Sequence, residues 1–146
     1  DNTLTSNFGE YYYLGKCIER KSLKLLPKLG SYLDWIICGY GERPFFCIFS
    51  ALGIIIIFSF LYLITGIDTD GRTILYTFSN MYTWNISKFI KDFNESLNLS
   101  VGMFAGVGID NGKPTEIGYL VANLEMLIGI VLMGVGVGTL VRKVIR

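Results

Sequence analysis

Two long apolar stretches dominate the pattern of hydrophobic and polar positions along the chain. The first, from Pro44 to Ile67, contains no charged residue, and the second, from Ile117 to Val141, contains only Glu125. A helix needs about 20 apolar residues to cross the hydrocarbon core of a bilayer, and both stretches are long enough. The pattern therefore predicts two membrane-spanning helices, an outer helix over about residues 44–67 and an inner helix over about residues 117–143.

The segment between the two stretches contains a third helical pattern, over about residues 87–104. Its apolar side chains recur at near-helical spacing, and Ser87 is the predicted N-cap. Charged side chains in its first half, from Lys88 to Glu95, exclude burial in lipid there. We therefore predict a re-entrant helix that dips in from the outside. The backbone after it must line a water-filled cavity or be buried in protein.

Residues 1–43 form a separate N-terminal segment ahead of the first stretch. Residues 1–15 show no clear periodicity, whereas residues 16–34 predict a basic amphipathic helix that Pro27 should bend or interrupt. Such a helix can lie on the lipid surface of a membrane or pack on another domain. Because the sequence does not begin with Met, one expectation is a cytoplasmic N-terminal domain ahead of this chain.

Composition and charge support a membrane protein and give its orientation. Only 17% of the residues are charged, against about 25% in a typical soluble domain. Nine of the Lys and Arg residues lie in the two flanks and four lie between the spans. The positive-inside rule then predicts a multi-pass protein of the cell membrane with both termini in the cytoplasm. The basic residues are interpreted as topology signals, so no nucleic-acid partner is expected.

The chain offers little catalytic or metal-binding chemistry. It has no histidine, and its three cysteines have neither metal-ligand spacing nor the pattern of a nucleophile with its base. The odd cysteine count also argues against structural disulfides in a reducing compartment. We therefore expect no enzyme, no resident metal and no cofactor.

The order of span, re-entrant helix, glycine-containing loop and span resembles the pore domain of the potassium-channel superfamily. The loop reads S-V-G-M-F-A-G-V-G-I-D-N-G-K-P over residues 100–114, and the family pattern is S-x-x-T-x-T-T-V-G-Y-G-D followed by a proline. Val107 and Gly108 match the central V-G, and Pro114 lies before the inner helix. The motifs C-G-Y-G-E-R-P before the outer helix and L-V-R-K at the end of the inner helix are similar to those of the two-span bacterial members. Among these, the particular resemblance is to channels linked to a pentapeptide-repeat domain, although the chain contains no such repeat.

The resemblance implies an all-α homotetrameric pore in which potassium, sodium or calcium are the only ligands. It assigns the selectivity filter and ion-binding positions to six consecutive residues, namely Ala105, Gly106, Val107, Gly108, Ile109 and Asp110. Gly106 stands where the family has the filter threonine, Ile109 replaces the tyrosine, and Asp110 replaces the second glycine. These losses imply a passive cation channel that is weakly selective or prefers a cation other than potassium.

Several residue roles stay open on the sequence alone. Asp110 can form a cation-attracting ring at the mouth or lie in a D-N-G turn, and a one-residue shift of the alignment changes its position in the filter. Gly129 and Gly134 are either gating hinges or packing positions in the inner helix. Glu125 either supports the filter through hydrogen bonds behind the re-entrant helix or binds ions. A potassium-selective channel and a non-conducting membrane anchor or signalling subunit are the alternative functions.

Overall fold

The computed structural model describes residues 2–69, 71–77, 85–108 and 112–145, with side chains from Phe8 onward. Most of the described chain is helical. The helices are α1 (Asn2–Ser22), α2 (Leu25–Cys38), α3 (Pro44–Thr65), α4 (Ile86–Phe104) and α5 (Glu116–Ile145), with a 3₁₀ turn at Gly39–Gly41. Three short strands complete the described elements: β1 (Ile67–Thr69), β2 (Arg72–Ile74) and β3 (Gly112–Pro114).

Within the described residues, α3 and α5 are the two helices that are long and apolar enough to cross a membrane, which agrees with the predicted pattern of two long apolar helices. Helix α3 ends at Thr65, two residues before the predicted end. The remaining residues of that apolar run enter β1, because an apolar run alone cannot distinguish the end of a helix from the start of a strand. Helix α5 extends slightly beyond its predicted bounds at both ends.

The N-terminal segment is more helical than the sequence pattern indicates. Helix α1 covers most of residues 1–15, which have no clear periodicity, and it continues to Ser22. The predicted helix over residues 16–34 is therefore divided between α1 and α2. The break falls before Pro27, which occupies the first turn of α2, where a missing backbone N–H removes no intrahelical hydrogen bond.

The strands correct the expectation of an all-α fold. They form an antiparallel sheet in the order β2-β1-β3. In β1, Ile67 pairs with Ile74 on one side and with Pro114 on the other. The sheet thus joins the chain that leaves α3 to the chain that enters α5, although these segments are far apart in sequence.

The chain divides into two compact units, and each is described by itself. The first unit comprises residues 1–51 and 132–146, and the second comprises residues 52–131. In the first unit, Glu42 and Arg142 form an ion pair of 3.2 Å. The core of the second unit includes Tyr62, Ile67 and Leu99, each with no exposed surface.

Candidate functional site

Helix α4 carries the candidate site and begins at Ile86, one residue before the predicted start. Asn85, and not Ser87, is the N-cap: its side-chain oxygen accepts a hydrogen bond of 3.1 Å from the backbone N–H of Ser87. An asparagine satisfies this otherwise unpaired amide as well as a serine does. The helix ends at Phe104, as the sequence pattern predicts.

The chain leaves α4 through a Schellman motif. The backbone N–H of Gly106 donates to the carbonyl of Met103, and that of Val107 donates to the carbonyl of Gly102, both at 3.0 Å. Gly106 has a φ of 72°, the left-handed conformation that this motif requires and that glycine adopts without a steric cost. Gly106 is therefore the residue that ends the helix.

The next amide of the loop also donates to α4. Gly108, also with a φ of 72°, donates its N–H to the carbonyl of Gly102 at 3.1 Å, so three consecutive amides of the loop are satisfied by α4. Within the described ranges, no backbone N–H outside the regular elements donates to the carbonyl of Gly106, Val107 or Gly108. Val107 is 83% exposed.

The structure describes only part of the predicted filter. Ala105, Gly106, Val107 and Gly108 lie in the loop after α4, whereas Ile109 and Asp110 lie outside the described residues. Beside the loop, an open cleft of about 480 Å³ is lined by residues of this loop, of α4 and of the adjoining strands. Its polar side chains are Thr69, Glu95 and Asn98.

Glu125 is buried in α5 and contacts the neighbouring helices through its carboxyl group. Tyr62 of α3 donates its hydroxyl to Oε2 at 2.6 Å, and Ser100 of α4 donates to Oε1. The Ser100 hydroxyl also lies 2.9 Å from the carbonyl oxygen of Ile55 in α3. One fully buried carboxyl group thus links α3, α4 and α5 behind the last turns of α4.

A second buried serine fixes α4 to α3. Ser96 donates to the carbonyl of Ser59 at 2.5 Å, and both residues have no exposed surface. Ser96 and Ser100 are four residues apart, so they lie on the same face of α4. The sequence pattern assigned no roles to Tyr62, Ser59 or Ser96. The spacing of the two serines was the available signal, whereas nothing in the apolar run of α3 marked Tyr62.

Gly129 allows α5 to approach the end of α4 closely. A Cβ atom at this position would lie 2.2 Å from the carbonyl oxygen of Phe104, so no larger residue fits without a movement of the backbone. At Gly134, a Cβ would meet nothing within 4 Å, and α5 continues without interruption through both glycines. Two successive turns of α5 thus contact α4, Glu125 at Ser100 and Gly129 at Phe104.

A charged cluster lies at the other end of α4. Asp92, which is 2% exposed, accepts a hydrogen bond of 2.6 Å from the hydroxyl of Tyr76. Burial, and then the hydrogen bond to Asp92, raise the pKa of Tyr76 to about 12. Arg72 pairs with Glu95 at 2.5 Å and lies 4.0 Å from the Asp92 carboxylate. These contacts connect α4 to β2 and to the residues that follow β2.

The described residues contain no group of three or more His, Cys, Asp or Glu side chains that could hold a metal ion. No protein-family model, curated protein or solved structure matches the chain.

Proposed function

We propose that the chain is one subunit of a homotetrameric cation channel with a pore architecture like that of potassium channels. It conducts passively and discriminates weakly among monovalent and divalent cations. In this proposal α3 is the outer helix, α5 is the inner helix, and α4 is the pore helix of a protein in the cell membrane with both termini in the cytoplasm. The permeating cations are potassium, sodium or calcium, and no cofactor is required.

The observation that carries the proposal is the loop after α4. Its amides donate to the helix, and among the described residues no backbone N–H outside the regular elements donates to its carbonyls, which is the division that a cation pathway needs. A carbonyl oxygen replaces part of the hydration shell of a cation, and several such oxygens in a ring can hold it loosely enough for release. Gly106, Val107 and Gly108 provide these oxygens, while Ser100, Glu125 and Gly129 fix the position of the helix that presents them.

Assembly of four copies is what the resemblance to potassium-channel pores implies. Two spans in one chain cannot enclose a pore, whereas four copies about a central axis can, and closed symmetry is usual among homo-oligomers. Many large apolar side chains of α3 and α5 are exposed in the single chain, including Phe49, Ile57, Leu120 and Leu127. In a membrane these side chains would contact lipid or the neighbouring copies.

Asp110 supplies the selectivity element of the proposed channel. With four copies, four carboxylates would surround the entrance next to the carbonyl rings, and a carboxylate ring attracts cations and favours divalent ions. The threonine hydroxyls and the tyrosine of the family pattern are absent from the sequence, so strict potassium selectivity is not expected.

A non-conducting membrane subunit is the second candidate, and the Schellman motif is equally compatible with it. This motif ends many helices that have no role in ion conduction, so Gly106 alone does not require a pore. The two candidates differ in what the carbonyls of the loop do, and only a flux measurement distinguishes them.

The test is cation flux into liposomes that contain the purified protein, measured with potassium, sodium and calcium in turn. Chemical crosslinking verifies tetramers in the same sample. Asp110→Asn should reduce calcium flux more than potassium flux. Asp68→Asn, which removes an exposed carboxylate of β1 outside the loop, is the matched control and should change neither. Gly108→Ala should stop the flux, because alanine disfavours a φ of 72°.

Three outcomes would contradict parts of the proposal. Potassium flux alone, unaffected by Asp110→Asn, would identify a potassium-selective channel with an unusual filter. Flux unaffected by Gly108→Ala would show that the loop is not the pathway. Absence of flux from verified tetramers, under changes of pH, lipid and voltage, would support the non-conducting subunit.

A further inference from the structure

The first unit contains a cavity of about 690 Å³ that plays no part in the proposed conduction pathway. It is lined by residues of α1 and α2, of the 3₁₀ turn and of the last turns of α5. Leu23, Pro27 and Val135 form apolar parts of its wall, while Lys16, Arg20 and Arg142 carry positive charge. The cavity thus combines basic and apolar surfaces, as a site for an anionic amphiphile does.

Arg20 has the most unusual surroundings of these basic residues. Its guanidinium group lies over two aromatic rings, 4.3 Å from the ring centroid of Tyr32 and 4.8 Å from that of Trp35. Its Nη1 atom is buried and has no hydrogen-bond partner among the described residues. Such a partnerless buried polar atom destabilises the fold, and more so in a charged group. Arg20 as a whole is only partly buried and lines the cavity, so its other nitrogen atoms are placed to meet a ligand.

The other charged groups around the cavity leave Arg20 uncompensated. Lys16 pairs with Glu19 at 2.8 Å, and Arg142 pairs with Glu42 at 3.2 Å. Asp34 also lines the cavity, but no ion pair within 4.0 Å joins it or any other described carboxylate to Arg20. Three basic and two acidic side chains therefore line the wall, and one guanidinium is available to a ligand.

We propose that this cavity binds a phosphate-type anion, with Arg20 as the anchor. A guanidinium group can donate two parallel hydrogen bonds to phosphate oxygens, and the two aromatic rings hold its plane in place. Lys16 and Arg142 add positive charge at the rim, while the apolar wall residues can contact an acyl chain. The phosphate can belong to a membrane lipid or to a soluble ion, since both present the same oxygens to Arg20.

The test measures binding to the detergent-purified full chain by isothermal titration calorimetry, so its outcome is independent of ion flux. The probes are dihexanoyl phosphatidic acid, inorganic phosphate and dihexanoyl phosphatidylcholine. Arg20→Gln should weaken binding of the anionic probe at least tenfold. Lys21→Gln removes the neighbouring positive charge, which is exposed and does not line the cavity, and should change the affinity less than twofold.

A steric variant tests the same site without removing any charge. Gly138 lines the cavity and has open space around its Cβ position, so Gly138→Leu should fill part of the cavity and weaken binding. Gly134→Leu, also in open space but outside the cavity wall, is its control. Trp35 fluorescence in a Trp84→Phe background should change on binding, because Trp35 lies beside Arg20.

The probes also distinguish the source of the anion. Tight binding of phosphatidic acid alone would identify a lipid ligand, and comparable binding of inorganic phosphate would identify a soluble one. Each supports the site if Arg20→Gln abolishes it. Equal binding of phosphatidylcholine, or an unchanged affinity in both the Arg20→Gln and Gly138→Leu variants, would overturn the proposal.

Discussion

Alanine at Gly129 separates a packing position from a gating hinge. In the structure, a Cβ atom at Gly129 would lie 2.2 Å from the carbonyl oxygen of Phe104 and 3.2 Å from its Cα atom. Five residues further along α5, a Cβ at Gly134 would meet nothing within 4 Å. Both glycines lie inside one continuous helix, so the two alanine variants differ mainly in this contact.

The expected magnitude follows from the contact. Cβ atoms essentially never come closer than 3.0 Å to another heavy atom, so alanine at Gly129 requires a backbone movement of at least about 0.8 Å. Overpacking of this kind costs about 1–3 kcal/mol. Each Gly→Ala change also gains about 0.5–1 kcal/mol of helix propensity, which cancels when the two variants are compared. Gly129→Ala should therefore be about 1–3 kcal/mol less stable than Gly134→Ala.

The assay is thermal unfolding in detergent, followed by far-ultraviolet circular dichroism for both variants side by side. The expected difference in melting temperature is about 2–12 °C, at about 2–4 °C per kcal/mol for a chain of this size. Gly134→Ala itself should be as stable as the original chain or slightly more stable. Equal melting temperatures for the two variants would refute the packing argument, and reduced flux with unchanged stability would instead identify Gly129 as a hinge.

Three further predictions concern the supports of α4. Tyr62→Phe removes the donor to the buried Glu125 carboxyl group, so it should lower stability by about 1–3 kcal/mol in the same thermal assay. Because the pKa of Tyr76 is raised from 10.0 to about 12 in the folded chain, its contribution to stability is complete below pH 10. The contribution of the Tyr76 phenol to stability is lost as the pH rises toward 12. Phenylalanine at position 76 cannot ionise beside Asp92, so Tyr76→Phe should remove this loss of stability at alkaline pH, measured as melting temperature against pH. Gly106→Thr should cost about 1–3 kcal/mol, since a β-branched residue at a φ of 72° is strained, and it should not confer potassium selectivity in the flux assay.

Each of these variants has a control in the chain. Tyr119→Phe removes a half-exposed phenol of α5 and should leave the melting temperature unchanged. Ala105→Thr places the same β-branched side chain one residue earlier, at a φ of −76°, where it is tolerated. A stable Gly106→Thr variant, or a Tyr62→Phe variant with no loss of stability, would contradict the geometry described above.

Local signals in the sequence predicted the long helices but not the segments that pair with distant parts of the chain. The apolar runs of α3 and α5 and the spacing within α4 extend over many residues, and therefore their positions could be inferred within a few residues. The strands contain three residues each and pair Ile67 with Pro114 across a long stretch of chain, so no local pattern revealed them. The first part of helix α1, before Lys16, was missed because its apolar residues have no clear helical period.

The support of the candidate filter was only partly predictable for a similar reason. Glu125 is conspicuous as the one charged residue in its apolar stretch, and this alone makes it a functional candidate. Its donors are Tyr62 and Ser100, which come from two other helices, and their choice depends on how these helices pack. The same holds for Gly129, whose contact with Phe104 exists only in the packed unit.

The ending of α4 gives a physical reason why glycine occupies position 106. The Schellman motif places its left-handed residue at position 106, where the potassium-channel superfamily has a threonine, and a β-branched side chain disfavours that conformation. A threonine hydroxyl ring is thus incompatible with a helix that ends here. The same motif directs the amides of Val107 and Gly108 to the carbonyl of Gly102, and among the described residues no backbone N–H outside the regular elements donates to the loop carbonyls. If the proposed channel conducts, we expect its selectivity to come from backbone carbonyls and from the Asp110 carboxylates, and a threonine at position 106 would strain the left-handed turn that ends α4.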